Sequence, residues 1–370
     1  MKILVISPAY TLSGVPLAQL RLAKSLGKLG HEVDLIYGCK KYHKIKKTKN
    51  INIKFFNQFR VIGMFFPLVK YLLSNKPDVI FSAEDHLNAI VSLACIFTLS
   101  KAKISVSSRV TPIDTYRNSE KFFSKGWFLK ILFPIVQWKV DVMTCVSKDM
   151  VKQYKKIFKK SKQIPVYNIV KNDEALVKMK EKINHKWYKT KSNKVLIASG
   201  KLASWKGFDD LIKAISILIK KKINIKLIII GDGPEKNNLL KLIRFYGLRK
   251  KIVILKPVIN TLKYFYNSDI FVLSSRVEGM PNVMIEAMMC GCTVVATDCP
   301  TGPREILNNN KYGYLSKVNN PNDLADNIIK AIKRSISIKK TNKILNNFTD
   351  RMVIKKHFML LKIDSKFWKL

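Results

Sequence analysis

Apolar residues in this chain come as short unbroken runs separated by amphipathic stretches. Lys2–Ile6 is one such run. A loop holding Ser13 and Gly14 follows, and Pro16–Leu29 then sets Leu17, Leu20, Leu22, Leu26 and Leu29 at roughly helical spacing. Gly30 closes that helix, and His31–Tyr37 gives the next strand. Further strands are predicted over Pro77–Phe81, Lys103–Ser107 and Val140–Val146, with a helix over Leu87–Leu99 and another from about Lys148. Periodicity fades and lysines cluster between Val170 and Asn193, which marks a connection. The pattern then restarts with a strand at Lys194–Ser199, a loop at Gly200–Gly207 and a helix at Phe208–Ile219. Strands follow at Ile225–Ile230, Lys251–Leu255, Asp269–Leu273 and Thr293–Ala296. Unbroken Ile/Val runs, unlike alternating ones, indicate parallel strands covered on both faces. The expected fold is therefore α/β, with two doubly wound Rossmann-like domains in tandem. Sites in such sheets form at the C-terminal strand ends, so a substrate cleft between facing domains is expected.

Composition narrows the class. The chain has 370 residues, 47% hydrophobic and 25% charged, enough for two domains each with its own core. Cys39, Cys95, Cys145, Cys290, Cys292 and Cys299 form no Cys-x-x-Cys pair and read as free thiols of a reducing cytosol. MKILVISPAY reads as a buried strand, not a signal peptide. Leu87–Leu99, the most apolar later stretch, falls short of the roughly twenty residues a spanning helix needs. Lysine and arginine outnumber aspartate and glutamate by 68 to 25, a formal charge of +43. That balance favours anionic partners, although a lysine-rich coding bias accounts for part of it. No zinc spacing, helix-turn-helix or RNA-binding strand motif stands out, so nucleic acid is not expected as the partner.

The densest chemistry lies in Ser274-Ser275-Arg276-Val277-Glu278-Gly279-Met280-Pro281-Asn282-Val283-Met284-Ile285-Glu286-Ala287. It follows the strand ending at Leu273. Glu278 thus falls in a strand-to-helix loop, and Asn282 can cap a helix over Val283–Met289. Backbone N–H groups at such a helix start bind phosphate or carboxylate oxygens. Glu286 can reach back toward the same crevice and accept ribose hydroxyls; the plainer alternative is a surface glutamate on an ordinary helix. Lys201 and Lys206 flank another strand-end loop, where fixed cations can stabilise the charge left on a departing diphosphate. Gly231 opens a Gly-Asp-Gly-Pro turn, Glu84, Asp85 and His86 follow a strand of the first half, and Arg109 follows another. No Asp-x-Asp pair stands in a strand-end loop, so no metal is expected to be obligatory.

The Glu278–Glu286 segment resembles the Glu-x7-Glu signature of the retaining glycosyltransferases of family 4, which have the GT-B fold. The likeness continues through Gly291–Asp298, the run Cys-Pro-Thr-Gly-Pro-Arg-Glu-Ile-Leu at 299–307 and Gly313-Tyr314-Leu315, and is strongest from Leu196 to Ala325. The 299–307 run looks like a branch that assembles bacterial surface polysaccharides, such as capsule and lipopolysaccharide, and lipid-linked oligosaccharides. The resemblance implies an acceptor-binding domain over 1–169, a connection over 170–193 and a nucleotide-sugar domain over 194–345. A helical segment over 346–370 would pack back on the first domain.

The resemblance also implies roles. Glu286 holds the ribose, and Glu278 sits by the donor sugar and the reacting centre. Gly279, Met280, Pro281, Asn282 and Val283 cradle the donor sugar and phosphates, and Lys206 neutralises the diphosphate. Lys201 stands where the family usually has arginine, which keeps the charge and loses the bidentate fork. Gly231 lies near the base and Gly14 near the donor phosphates. His86 touches the donor sugar or the acceptor hydroxyl, against the alternative of a solvated loop histidine. Arg109, with Thr111-Pro112, is similar to an Arg-x-x-Pro segment and binds a phosphate. The implied reaction, in EC 2.4, moves a hexose or N-acetylhexosamine from a UDP-sugar, in preference to a GDP-sugar, with retention of configuration and no obligatory cofactor.

Two other functions stay open on the sequence: a sugar-nucleotide epimerase on the same twin-domain plan, and a non-enzymatic basic polyanion-binding protein. Arg60–Leu73 and Lys121–Trp138 mix bulky apolar residues with lysine or arginine, as interfacial helices do, and equally as core-facing helices with outer lysines do. With the charge, they lead to the expectation of a cytoplasmic protein held peripherally on an anionic membrane, the inner face of a bacterial cytoplasmic membrane, near a lipid-linked or glycan acceptor.

Overall fold

The structure, a computed structural model, describes residues 1–11, 14–40, 50–116, 119–189 and 194–368. The chain divides into two compact units, Met1–Ile169 with Phe348–Leu370, and Val170–Asn347.

Among the described residues the first unit holds strands β1 (Lys2–Tyr10), β2 (Glu32–Lys40), β3 (Ile51–Phe55), β4 (Val79–Ala83), β5 (Lys103–Ser108), β6 (Val142–Cys145) and β7 (Ile164–Pro165). They form one sheet in the order β3-β2-β1-β4-β5-β6-β7, and every pairing is parallel. The reversal of strand order beside β1 is that of a doubly wound fold. Helices Gly14–Lys28, Phe65–Asn75, Asp85–Phe97 and Lys125–Lys139 supply crossovers. Ile3, Val5, Leu35, Val79 and Phe81 form one apolar face of the sheet, with Leu22 and Leu26 of the first helix in the same cluster. Helix Asp350–Leu360, started by Thr349 as cap, adds Val353, Ile354 and Phe358 to that cluster.

The second unit holds β8 (Lys194–Ser199), β9 (Ile225–Ile230), β10 (Ile252–Leu255), β11 (Ile270–Leu273), β12 (Thr293–Thr297) and β13 (Tyr314–Ser316). Their order is β10-β9-β8-β11-β12-β13, again all parallel. Leu196, Leu227, Ile229 and Val272 pack with Leu211 and Ile215 of helix Phe208–Lys220 and Ile328 of helix Pro321–Lys333. The stretch expected as the connection carries helices Asp173–Lys178 and Lys186–Lys189, the first capped by Asn172 accepting from Ala175 N at 2.9 Å; its residues 190–193 lie outside the described residues.

Edge strands β3, β7 and β13 are additions to the expected set. Ile164–Pro165 and Tyr314–Ser316 are too short to carry a period, whereas Ile51–Phe55 alternates apolar and polar residues, unlike the unbroken apolar runs of the central strands. β1 also runs on past Ile6 to Tyr10.

Phe358 is fully buried in the first unit's core. Phe358→Ala is expected to destabilise that unit by about 3–5 kcal/mol. Urea unfolding followed with a probe in each unit checks this; an unmoved first-unit transition would mean that the terminal helix is not part of its core.

Candidate active site

In the second unit the loops after β8, β9 and β11 are fastened to one another. After β8 the chain passes Gly200 and Lys201, makes a 3-10 turn at Ser204–Lys206 and enters helix Phe208–Lys220 through Gly207, whose φ is 61°. A side chain at Gly207 would collide with the Ser274 carbonyl, so glycine serves both the left-handed turn and the close approach. Ser274 Oγ donates to the Lys206 carbonyl at 2.9 Å and Arg276 N to the Trp205 carbonyl at 2.8 Å. The Arg276 guanidinium grips Asp209 at 2.9 and 3.0 Å and Asp210 at 2.6 Å, and also donates to the Ser204 carbonyl. That fork locks the post-β11 loop onto the first turn of the post-β8 helix, and Asp209 and Asp210 raise the Arg276 pKa.

This frame brings Lys206 Nζ to 2.5 Å from Glu278 Oε1, and Ser275 Oγ donates to the same oxygen at 2.6 Å. Both charged side chains are largely covered, 19% and 10% exposed. Thr301 Oγ1 donates to the Glu278 carbonyl and fixes the backbone. Helix Asn282–Met289 follows, with Pro281 at its cap position, a residue whose side chain makes no capping hydrogen bond. Asn282 is the first helical residue and not the cap that the sequence suggests; Pro281, with φ −75°, already fixes the entry. Met280 and Glu286 are buried and Val283 is half-buried. Cys299 is buried, and burial together with the Glu278 charge pushes its thiol up to about 12.

Lys201 is exposed, its Nζ 5.6 Å from the Trp205 ring centre. Gly231 follows β9 against the Gly200 carbonyl, where a Cβ would collide. Leu202 N donates to the Asp232 carbonyl at 2.9 Å, which stacks the two loops.

The first unit carries a separate polar group at its own strand ends. Glu84, between β4 and helix Asp85–Phe97, has φ 81° and ψ 129°, a strained backbone for a residue with a side chain. Its N–H donates to the Ser107 carbonyl at 2.9 Å, tying it to β5. Asp85 is the anchor. It accepts from Ser108 Oγ at 2.6 Å, Tyr154 Oη at 2.5 Å and Tyr116 Oη at 3.0 Å, and burial raises its pKa against the pull of those donors. His86 Nε2 lies 3.3 Å from Glu84 Oε2. Burial, helped by Lys125, lowers the imidazole to about 4, so at neutral pH His86 is a neutral imidazole beside the Glu84 carboxyl group and not half of an ion pair. Burial also raises Glu84, opposed by Lys125 and Arg109.

Arg109 is held by two amides. It donates to Asn168 Oδ1 and, at 3.3 Å, to Gln19 Oε1; Gln19 is itself oriented by its bond to the Ile6 carbonyl at 3.1 Å. Its Nε has no partner among the described residues. Burial lowers the guanidinium to about 10, which leaves it charged at neutral pH. Gly14 opens helix Gly14–Lys28 with open space where a Cβ would stand, and Ser13 lies outside the described residues.

Residues 179–350 match the family model described as glycosyl transferases group 1. The chain is 33% identical over 266 residues to an uncharacterised glycosyltransferase of Methanocaldococcus jannaschii, covering 67% of this chain and 62% of that one. It is 29% identical over 252 residues to the N-acetylgalactosamine-N,N'-diacetylbacillosaminyl-diphospho-undecaprenol 4-alpha-N-acetylgalactosaminyltransferase of Campylobacter jejuni, covering 67% and 65%. The match therefore spans a little under two thirds of the length of these relatives. Among solved structures, HepE of Anabaena in complex with UDP-glucose superposes with a TM-score of 0.76 at 15% identity, covering 98% of this chain and 99% of that one. The chain is a sequence relative of glycosyltransferases, and its two helix-flanked parallel sheets are the two-Rossmann-domain architecture of the GT-B fold.

Within the second unit the structure gathers Lys206 and Glu278 into direct contact, with Lys201, Gly231 and residues 279–281 on the strand-end loops and Asn282, Val283 and Glu286 on the helix that follows. Within the first unit Gly14, His86 and Arg109 all stand at strand C-termini. The holding roles of Ser275, Thr301, Arg276, Asp85 and Gln19 escaped the sequence. Ser275 and Arg276 sit inside the signature stretch and Thr301 inside the 299–307 run, whereas Gln19 reaches Arg109 across the fold, where no local pattern points to it.

His86 gives a pH test. Its folded pKa lies below its ordinary value of 6.5, so the unfolded chain takes up the proton first and the first unit loses stability as pH falls from 6.5 toward 4. NMR titration is expected to show a His86 imidazole still neutral at pH 5, and His86→Gln to flatten that part of the stability profile. A midpoint near 6.5 would contradict the burial argument.

Proposed function

We propose that the protein is a retaining glycosyltransferase that moves a hexose or N-acetylhexosamine from a UDP-sugar to a lipid-linked or polysaccharide acceptor, working peripherally on the inner face of a bacterial cytoplasmic membrane. The observation that carries this reading is the Lys206–Glu278 contact at 2.5 Å, built on the loops after β8 and β11, the second of which leads into helix Asn282–Met289. The loop after β11 holds Glu278 against a fixed cation and then enters a helix N-terminus, an arrangement that suits a nucleoside diphosphate. The match over residues 179–350 supports the reaction class, the name of the C. jejuni relative supports a diphospho-undecaprenol acceptor, and the HepE complexes with UDP and UDP-glucose support the donor.

In this reading Glu286 accepts the ribose hydroxyls, and Gly231 shapes the wall beside the base. Residues 279–283 hold the donor sugar and phosphates, while Lys201 and Lys206 face the diphosphate. The bond from the anomeric carbon to the β-phosphate oxygen breaks as negative charge gathers on that phosphate. Lys206 stabilises the charge where it develops, which lowers the barrier and not merely the binding energy. Glu278 orients Lys206 and stabilises the oxocarbenium-like sugar. The acceptor oxygen then bonds to the anomeric carbon on the face the diphosphate leaves, and its proton passes to the departing phosphate. In the first unit, neutral His86 and its neighbour Glu84 are available to the sugar hydroxyls, and Arg109 to a phosphate. Gly14 starts a helix whose N-terminus suits the same charge.

Lys206→Met is expected to lower kcat/KM by about a hundredfold to a thousandfold, the range for removal of one transition-state donor. The measurement is nucleoside diphosphate release from a panel of UDP- and GDP-sugars, with and without lipid-linked acceptor. Acceptor-dependent release from a UDP-sugar, with a product of unchanged anomeric configuration by NMR, is the expected result. Interconversion of the donor without acceptor would point to an epimerase, and an inverted product would overturn the retaining mechanism.

A further inference from the structure

The most extensive unexplained feature of the first unit is an apolar ridge. Helix Lys125–Lys139 has two apolar faces where a core-facing helix needs one. Leu129, Phe133 and Val136 are buried, on the side that packs against helix Asp85–Phe97. Phe128, Ile131, Ile135 and Trp138 follow one another at helical spacing on another side and are 48%, 51%, 38% and 76% exposed. Ahead of the helix, Phe122 and Phe123 are 76% and 79% exposed, each ring 5.7 Å from Trp127. Scattered exposed apolar residues need no explanation, but a continuous ridge does.

The ridge continues onto neighbouring elements. Lys139 Nζ donates to the Ser100 carbonyl at 3.3 Å, which sets the end of this helix beside Leu99 and Phe97. The Phe97 ring lies 6.0 Å from Phe65, and Phe65 lies 5.3 Å from the exposed Phe66. The two segments that supply most of this surface, Arg60–Leu73 and Lys121–Trp138, contain no aspartate or glutamate, and Arg60, Lys70, Lys121, Lys125 and Lys130 are exposed.

Charge decides between occupants. A second copy of a chain of formal charge +43 would bring lysines against lysines around the ridge. An anionic bilayer matches both components: aromatic rings settle at the headgroup–acyl boundary, and lysines reach the phosphates with their stems along the apolar surface. Among the described residues no helix is long and apolar enough to cross a membrane, so the contact is one that lies along the surface. We propose that the Phe122–Trp138 ridge, extended by Phe66, Phe97 and Leu99, is the face by which the protein docks on an anionic bilayer. Its purpose, access to a lipid-linked acceptor, rests on the glycosyl-transfer reading; the contact itself does not.

The test uses the full chain with phosphatidylcholine vesicles, with and without phosphatidylglycerol. The wild type is expected to sediment with the anionic vesicles and to be released by salt. Phe128→Ser/Trp138→Ser is expected to weaken that partition roughly tenfold or more, and Lys121→Glu/Lys130→Glu to abolish the preference for phosphatidylglycerol. Both pairs are exposed, and circular dichroism with a thermal melt verifies the fold. Binding by the apolar variant equal to wild type, or no sedimentation of the wild type, overturns the proposal; the second result would leave an acidic protein as the occupant of the ridge. Donor turnover, measured in parallel on a water-soluble acceptor, separates the two ideas. Vesicle binding without turnover removes the glycosyl-transfer reading and keeps the docking face. Turnover without vesicle binding does the reverse.

Discussion

A strand that runs parallel to its neighbour cannot turn straight back into it; the chain must cross over the sheet and begin again from the same end. Every strand pairing described in this protein is parallel. In each unit, therefore, all the strand C-termini fall on one edge, and the loops that leave them are brought together whatever their separation in sequence. Lys206 and Glu278 are 72 residues apart, yet their side chains touch because β8 and β11 are neighbours in the sheet. The apolar strands set this arrangement, and the polar loops use it.

Bringing a lysine and a glutamate under cover has an electrostatic cost that the surrounding loops must meet. A half-desolvated pair is stable only when its geometry is fixed and its remaining valences are filled. Ser275 fills one on Glu278, Thr301 holds the backbone of that residue, and the Arg276 fork to Asp209 and Asp210 keeps the two loops from drifting apart. The first unit solves the same problem with hydroxyls. Asp85 has three donors from three places in the chain, and that anchoring holds the next residue back, Glu84, in a backbone conformation it would not otherwise keep. In so basic a chain, acidic groups are scarce, and several of them are committed to fastening loops at strand ends.

The doubled strand–loop–helix order was legible in the sequence because the strands are buried on both faces and so read as unbroken Ile/Val runs. Leu227, Ile228, Ile229 and Ile230 are an example, all of them buried. The short edge strands were read less well: Ile164–Pro165 and Tyr314–Ser316 are too short for a period, and Ile51–Phe55 alternates apolar and polar residues where the central strands are unbroken apolar runs. Glu278 and Lys206 could be singled out because glycine and proline mark their loops, and those residue types report local backbone shape. Glu84 could not, because nothing in its residue type announces a positive φ; the strain comes from the bond of its amide to Ser107 and from the anchoring of Asp85. The chemistry of His86 was hidden for a related reason. A histidine in a loop after a strand reads as solvated, and only the packing around it makes it a neutral imidazole.

The same distinction governs the apolar segments. From the sequence, Lys121–Trp138 suits a core helix and an interfacial one equally, because both need a bulky apolar face bordered by lysine. The fold separates them by using one face and leaving another. Leu129, Phe133 and Val136 already satisfy the requirement for a core, so Phe128, Ile131, Ile135 and Trp138 are in excess of what folding demands. Residues beyond the needs of folding that line up along one side of a helix, with lysines and no acids among them, are better accounted for by a surface outside the protein than by the protein itself.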